Sequence, residues 1–184
     1  MKSIDMTNLQ EAGEFSRPTP GAYICGIYKA EDVSDKEYLK ITYDIVDGEF
    51  KGYYEEMRKN NPDWGWAGAY VKSYKESALP MFKRFCTAVS RSNGKFVFDG
   101  GKVNHDEKTL KGKKIGLLLG EEEYEGNDGN VKTRLYVVRE FSVDKLADQK
   151  VPELKKLAKS TTQSSADSSE WMSVSESDAE EIAW

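Results

Sequence analysis

Residues 37–57 constrain the fold most, because they have the pattern of a β-hairpin. Two runs of alternating apolar and polar residues, rich in β-branched and aromatic side chains, flank Asp47-Gly48. A two-residue type I′ turn requires positive φ at both central positions, which Gly adopts without strain. The sequence therefore predicts antiparallel strands at 37–46 and 49–57. In this register Asp44 faces Lys51 and Lys40 faces Glu55, two pairs of opposite charge across the strands.

The rest of the chain supplies three more strands and a helix. An apolar stripe at Leu79, Phe82, Cys86 and Val89, with Pro80 in the first turn, predicts a helix over 79–91. A second hairpin is expected around Asp128-Gly129, with Glu125 opposite Lys132 and Glu123 opposite Arg134. The predicted strands are 21–29, 37–46, 49–57, 113–125 and 131–141, and a short helix interrupted at Pro152 is expected over 143–159.

Composition divides the chain into three parts. We expect an N-terminal arm at 1–20, one folded domain at 21–159, and a disordered acidic tail at 160–184 that is rich in Ser, Thr, Gln and carboxylates. The net charge is −5 for 184 residues, yet residues 58–114 hold 13 Lys and Arg against 5 Asp and Glu. A basic middle followed by an acidic tail is typical of a protein with an anionic partner.

The inventory of reactive residues argues against catalysis. The sequence has one histidine, His105, and two isolated cysteines, Cys25 and Cys86, without a nucleophile, phosphate-loop or metal motif. We therefore expect no enzyme activity, no cofactor and no metal site. The N-terminus lacks an apolar signal core, and the longest apolar run, 115–119, is too short to span a membrane. A cytoplasmic protein without membrane contact is predicted.

Aromatic and basic residues alternate in the segment 58–75. Single-stranded nucleic acid needs both types, since unpaired bases stack on aromatic rings and phosphates require positive charge. The alternative is that Trp64 and Trp66 close one end of the domain as core residues. With the outward residues of the first hairpin, the candidate nucleic-acid-binding residues are Lys40, Lys51, Tyr53, Arg58, Lys59, Trp64, Trp66, Tyr70, Lys72, Tyr74 and Lys75.

The acidic tail closes on apolar residues. Charges that steer a peptide toward a basic pocket, followed by an apolar tip that fills a cavity, make a docking motif for another protein. The alternative is an ending without a role. The candidate partner-binding residues are Asp178, Glu180, Glu181, Ile182 and Trp184.

The order of three strands, a helix and two strands resembles the OB-fold, a five-stranded Greek-key barrel with one helix between strands 3 and 4. The ending Asp-Ala-Glu-Glu-Ile-Ala-Trp is similar to the acidic tip of bacterial single-stranded-DNA-binding proteins. Residues 20–24, Pro-Gly-Ala-Tyr-Ile, and the stretch 43–52 resemble such proteins from bacteriophages of Gram-positive hosts. The chain departs from the bacterial proteins in its long 58–77 segment and in ending on Trp.

The resemblance implies a mainly β protein that coats single-stranded DNA in phage replication or recombination, in the host cytoplasm. Its tail would recruit replication or recombination proteins. Two alternatives remain open, an RNA-binding OB-fold and a protein-binding adaptor or inhibitor with a β-barrel core. The oligomeric state is also open, and a homo-oligomer is one of the options.

Overall fold

The computed structural model describes residues 17–63, 65–100 and 106–157. They form a mainly β structure with one five-stranded antiparallel sheet and one main helix. The strands are β1 (Gly21–Val33), β2 (Tyr38–Ile45), β3 (Ala69–Ser73), β4 (Lys114–Glu125) and β5 (Val131–Phe141), and the helices are α1 (Tyr53–Asn60) and α2 (Leu79–Ser92). Short 3₁₀ turns lie at Ser34–Lys36, Glu76–Ala78, Glu107–Leu110 and Val143–Asp148.

The sheet has the order β3-β2-β1-β4-β5, and over the described residues it is not closed by a hydrogen-bonded ladder between its two edge strands. A buried ion pair joins the edges instead. Lys72 on β3 places its Nζ 2.7 Å from a carboxylate oxygen of Glu140 on β5, and only 1% of the Glu140 side chain is exposed. Five strands with the main helix between β3 and β4 thus agree with the predicted number and order, although β3 is Ala69–Ser73 and not the predicted 49–57. A closed barrel is not established.

The core lies between the inward face of the sheet and α2. Ile27 on β1, Ile41 on β2 and Leu117 on β4 are fully buried, and Phe85 and Val89 of α2 are buried with them. Of the predicted stripe, Cys86 and Val89 are buried and Phe82 packs against the core, whereas Leu79 is 47% exposed. The helix thus has the predicted extent, and its buried face includes Phe85 instead of Leu79.

The second strand of the predicted 37–57 hairpin is wrong. The chain does turn after β2, but residues 53–60 form α1, and β2 pairs with β3 instead. The cause is Asp44, whose carboxylate accepts hydrogen bonds from the backbone N–H groups of Tyr54 and Glu55, each at 3.0 Å. These N–H groups lack partners within the helix, and a negative charge is favourable at a helix N-terminus.

The predicted charge pairs of that hairpin do not form as strand pairs. Lys40 lies opposite Val71 of β3 and Glu31 of β1, and Glu55 binds Lys59 one helical turn later, with 2.9 Å between their charged atoms. Because residues 53–60 form a helix and not a strand, the side chains that they expose differ from those predicted for a strand.

The hairpin of β4 and β5 has the predicted extent and a different register. Gly126 N donates to Asn130 O at 2.9 Å, so five residues, not two, make the connection. Glu122 therefore lies opposite Arg134, with a 2.9 Å ion pair, and Lys132 lies opposite Tyr124. The helix predicted over 143–159 shrinks to the 3₁₀ segment Val143–Asp148, after which Lys155 pairs with Glu122 as an isolated bridge.

The expected tail at 160–184 and most of the arm at 1–20 lie outside the described residues. Within the described ranges, no helix combines the length and the apolar character that crossing a lipid bilayer requires.

Asp44→Ala should destabilise the protein, because it removes the charged acceptor of two N-terminal amides of α1. The expected loss is about 1–2 kcal/mol of unfolding free energy, measured by urea denaturation. Asp47→Ala is the matched control, since Asp47 is an exposed carboxylate in the adjacent turn. Equal unfolding midpoints for the two variants would contradict this role of Asp44.

Candidate nucleic-acid interface

A β-bulge in β1 sets the position of Tyr28. Ile27 pairs with Tyr43 and Lys29 pairs with Thr42, so Tyr28 is the extra residue between two successive pairs. A bulge bends the strand and redirects a side chain. Tyr28 consequently points away from the core, with 50% of its surface exposed, and Lys29 beside it is exposed as well.

Trp66 stacks on Tyr28. Their ring centroids are 4.4 Å apart and the ring planes differ by 17°. The loop that carries Trp66 is held by one residue of β2, because Trp66 Nε1 donates to Tyr43 O at 2.8 Å and Tyr43 N donates to Gly68 O at 2.7 Å. A half-buried tryptophan is thus fixed against an exposed tyrosine on the outer side of the sheet.

Cations surround this aromatic pair. A cavity of about 270 Å³ is lined by both rings and by residues of β1, β2 and α1, and Glu31 is the carboxylate among its lining residues. The Arg58 guanidinium lies 6.0 Å from the centre of the Trp66 ring, within the range of a cation–π interaction. We refer to this surface as the Tyr28–Trp66 face and define it by Tyr28, Lys29, Lys40, Arg58 and Trp66.

Three of the sequence-predicted residues, Lys40, Arg58 and Trp66, meet on this face. Tyr53 does not, since it lies in α1 with 9% of its surface exposed, and burial raises its pKa. Tyr70 and Lys72 point inward from β3, where they lie opposite the buried Ile41 and Leu39.

The contacts of Tyr70 and Lys72 are those of interior side chains. The Tyr70 hydroxyl is buried without a hydrogen-bond partner among the described residues, and burial raises its pKa well above the usual value. Lys72 is held by Glu140 across the edge of the sheet. Both residues are therefore placed for packing and ion pairing in the interior.

The remaining candidates are dispersed. Tyr74 donates its hydroxyl to Asp32 at 2.7 Å, and its pKa is raised by burial of the hydroxyl and then by this carboxylate. The pKa of Lys59 is raised by its hydrogen bond to Glu55. Lys51 and Lys75 are exposed, before α1 and after β3 respectively, and Trp64 lies outside the described residues.

Sequence reasoning missed Tyr28 and Lys29. The sequence predicts that both belong to a regular strand at 21–29, in which side chains alternate between the two faces. The run Ile27-Tyr28-Lys29-Ala30 departs from strict alternation, because two polar or amphipathic residues separate two apolar ones. That spacing is the signal from which a bulge could have been inferred.

The cysteines are not reactive thiols. Cys25 and Cys86 are both buried and free. Burial raises the pKa of Cys86 to about 11, and burial together with the charge of Asp44 raises that of Cys25 further. Both are thus protonated at neutral pH. In the parts of the chain that the structure describes, no three His, Cys, Asp or Glu residues are grouped to hold a metal ion, and His105 lies outside those parts.

No model of a known protein family matches this chain, and a search of curated proteins finds no match. Function is therefore inferred from the chemistry of the described surfaces.

Gly68→Ala should destabilise the loop that carries Trp66. An added Cβ would lie 2.5 Å from the backbone oxygen of Tyr43 and 2.7 Å from the Tyr54 ring, so the loop must move off β2. We expect a loss of about 1–3 kcal/mol of unfolding free energy in urea denaturation. Gly21→Ala is the control, because its nearest neighbour would be 3.7 Å away. A Gly68→Ala midpoint equal to that of the control would show that the loop is not held in this way.

Proposed function

We propose that this protein binds single-stranded DNA through the Tyr28–Trp66 face and has no catalytic role. The observation that carries the proposal is the stacked Tyr28–Trp66 pair, half exposed at Tyr28 and bordered by three cations. A base stacked on an aromatic side chain contributes about 1–3 kcal/mol, and every base offers such a surface. The cations supply the positive path that phosphates require.

The residues of the face divide between the two tasks. Tyr28 presents its ring to a base, and Trp66 supports that ring from behind while its indole N–H stays bonded to β2. Lys40, Arg58 and Lys29 contact phosphates. Lys29 is paired with Glu31 at 2.6 Å in the protein without nucleic acid, and both side chains are about half exposed. An exposed pair contributes at most about 1 kcal/mol, so a phosphate can replace Glu31.

The resemblance to single-stranded-DNA-binding proteins of phages and bacteria supports a more specific role for this protein. The sheet order and the helix between β3 and β4 are compatible with an OB-fold, and in the proposed barrel β3 and β5 form the closing edge. The protein acts in phage DNA replication or recombination in the host cytoplasm. The acidic tail, with Asp178, Glu180, Glu181, Ile182 and Trp184, recruits partner proteins of that machinery.

Tyr28→Ala should weaken binding to a labelled oligo-dT by about fivefold or more, because one stacking surface is lost. Fluorescence anisotropy titration measures the change. Tyr28→Phe is the matched control, since it keeps the ring and removes only the hydroxyl, and it should bind nearly as the unchanged protein does.

Two results would contradict the proposal. One is equal affinity of Tyr28→Ala and Tyr28→Phe, which would show that no base stacks on the Tyr28 ring. The other is equal affinity of the unchanged protein for oligo-dT and for the matching duplex. Stronger binding of an RNA oligonucleotide of the same length would instead favour the RNA-binding alternative.

Deletion of residues 161–184 should leave oligo-dT affinity unchanged or increase it. The deleted segment has six Asp and Glu and no Lys or Arg, so its charge repels phosphates. The same anisotropy titration, at low and at moderate salt, compares the shortened and the full chain. A marked loss of affinity in a shortened chain with an unchanged circular dichroism spectrum would place DNA contacts in the tail.

A further inference from the structure

A second basic surface lies between α2 and the end of β5. It surrounds a groove of about 640 Å³ whose lining combines residues of α2, β5 and the 3₁₀ segment after β5. The cations that line it are Lys83, Arg84, Arg91, Arg139 and Lys145. We call this surface the α2–β5 groove.

Carboxylates near the groove do not balance these cations. Glu140 is buried and lies 2.7 Å from Lys72 and 3.8 Å from Arg84, so its charge is already matched. Asp148 is the other carboxylate of the lining, and Asp144 lies close to Arg91. The groove lining, taken with Lys72 and Asp144, thus holds six cations and three carboxylates.

Three cations of α2 border this groove, and two of them, Lys83 and Arg91, also line a second cavity. The carboxylates of that second cavity are Asp32, Asp99 and Glu107. Lys83, Thr87 and Arg91 are spaced four residues apart and form one ridge, while Phe85 and Val89 are buried on the face that packs on the sheet. Arg139 is exposed on β5 and donates to Gln149, a neutral side chain, at 2.9 Å. The cations therefore border the groove with their positive charge available to an anion.

The groove lies close to the Tyr28–Trp66 face. Ala69 of β3 lines the cavity of that face, and Lys72, three residues along the same strand, binds Glu140 in the lining of the groove. Three residues of a strand span about 10 Å. The linings of the two surfaces are therefore connected through β3.

We propose that the α2–β5 groove binds the phosphate backbone of the same single strand whose bases stack on the Tyr28–Trp66 face. This inference rests on the proposed function and extends it. Among the described residues that line the groove, Phe141 is the one aromatic, and it is buried, so the groove contacts phosphates and not bases. The groove thus lengthens the binding site without adding sequence preference.

The test compares two lengths of oligo-dT, about 6 and about 30 nucleotides, which lie near the lower end of and above the range of about 4–16 nucleotides for one OB-fold site. The variant is K83A/R91A, which leaves Arg84 in place because of its contact with Glu140. The matched control is K108A/K111A, which removes two exposed lysines that line neither the groove nor the Tyr28–Trp66 face. Circular dichroism checks that both variants are folded.

K83A/R91A should bind the long strand about 5- to 20-fold more weakly at low salt and bind the short strand as the control does. For the long strand, the slope of log affinity against log salt concentration should be shallower by about 1.4 in this variant. Each lost phosphate contact reduces the magnitude of that slope by about 0.7. Equal long-strand affinity and equal salt slope for the two double variants would contradict phosphate binding in the α2–β5 groove. The Tyr28–Trp66 face would still be tested separately by Tyr28→Ala. If the unchanged protein binds neither strand, both proposals fail.

Discussion

The carboxylate of Asp44 is the interaction on which the candidate interface depends. It lies near the end of β2 and accepts the N–H groups of Tyr54 and Glu55, so the chain after the turn becomes α1 instead of a strand. The helix carries the chain back across β2, where the backbone of Tyr43 binds Trp66 and Gly68. Two neighbouring residues of β2 thus determine both where the helix begins and where the stacked rings meet.

The error at residues 49–57 shows how far turn chemistry determines the neighbouring structure. Gly48 has a φ of 83°, but Asp47 does not have the positive φ that a type I′ turn requires. The chain therefore turns near Asp47-Gly48 without the predicted turn type, and Lys51 N donates to Gly48 O at 3.2 Å. The structure after a turn depends on partners elsewhere in the fold, and here a carboxylate ten positions before Tyr54 stabilises a helix. The segment Glu-Glu-Met-Arg-Lys consists of good helix formers, which the alternation of the preceding residues concealed. Local patterns thus predicted β1, β2, α2 and the β4–β5 hairpin more reliably than this segment.

Residues of the candidate site could be predicted from the sequence only where the direction of the side chain did not depend on the pairing register of a strand. Lys40 and Arg58 face outward and meet Trp66, as the alternation of charge and aromatic residues suggested. Tyr70 and Lys72 could not be assigned from sequence, because the residues of β3 alternate between two faces and only the pairing with Ile41 and Leu39 shows which face is buried. A shift by one residue would have exchanged them with Ala69 and Val71. The bulge at Tyr28 could not be assigned from sequence for the same reason, because it is defined by how β1 pairs with β2.

The buried pair of Lys72 and Glu140 links architecture to charge. Burying two charges costs desolvation that their attraction only partly offsets, so the pair is weak evidence for stability, whereas removing one partner leaves the other uncompensated. Here the pair joins β3 to β5, two strands that share no backbone ladder over their described residues, and it withdraws a lysine that the sequence assigned to phosphate binding. Because Glu140 is matched from within, the cations of α2 at the surface above it keep their positive potential. Lys72 is therefore absent from the Tyr28–Trp66 face, and by pairing with Glu140 it preserves the positive charge of the α2–β5 groove.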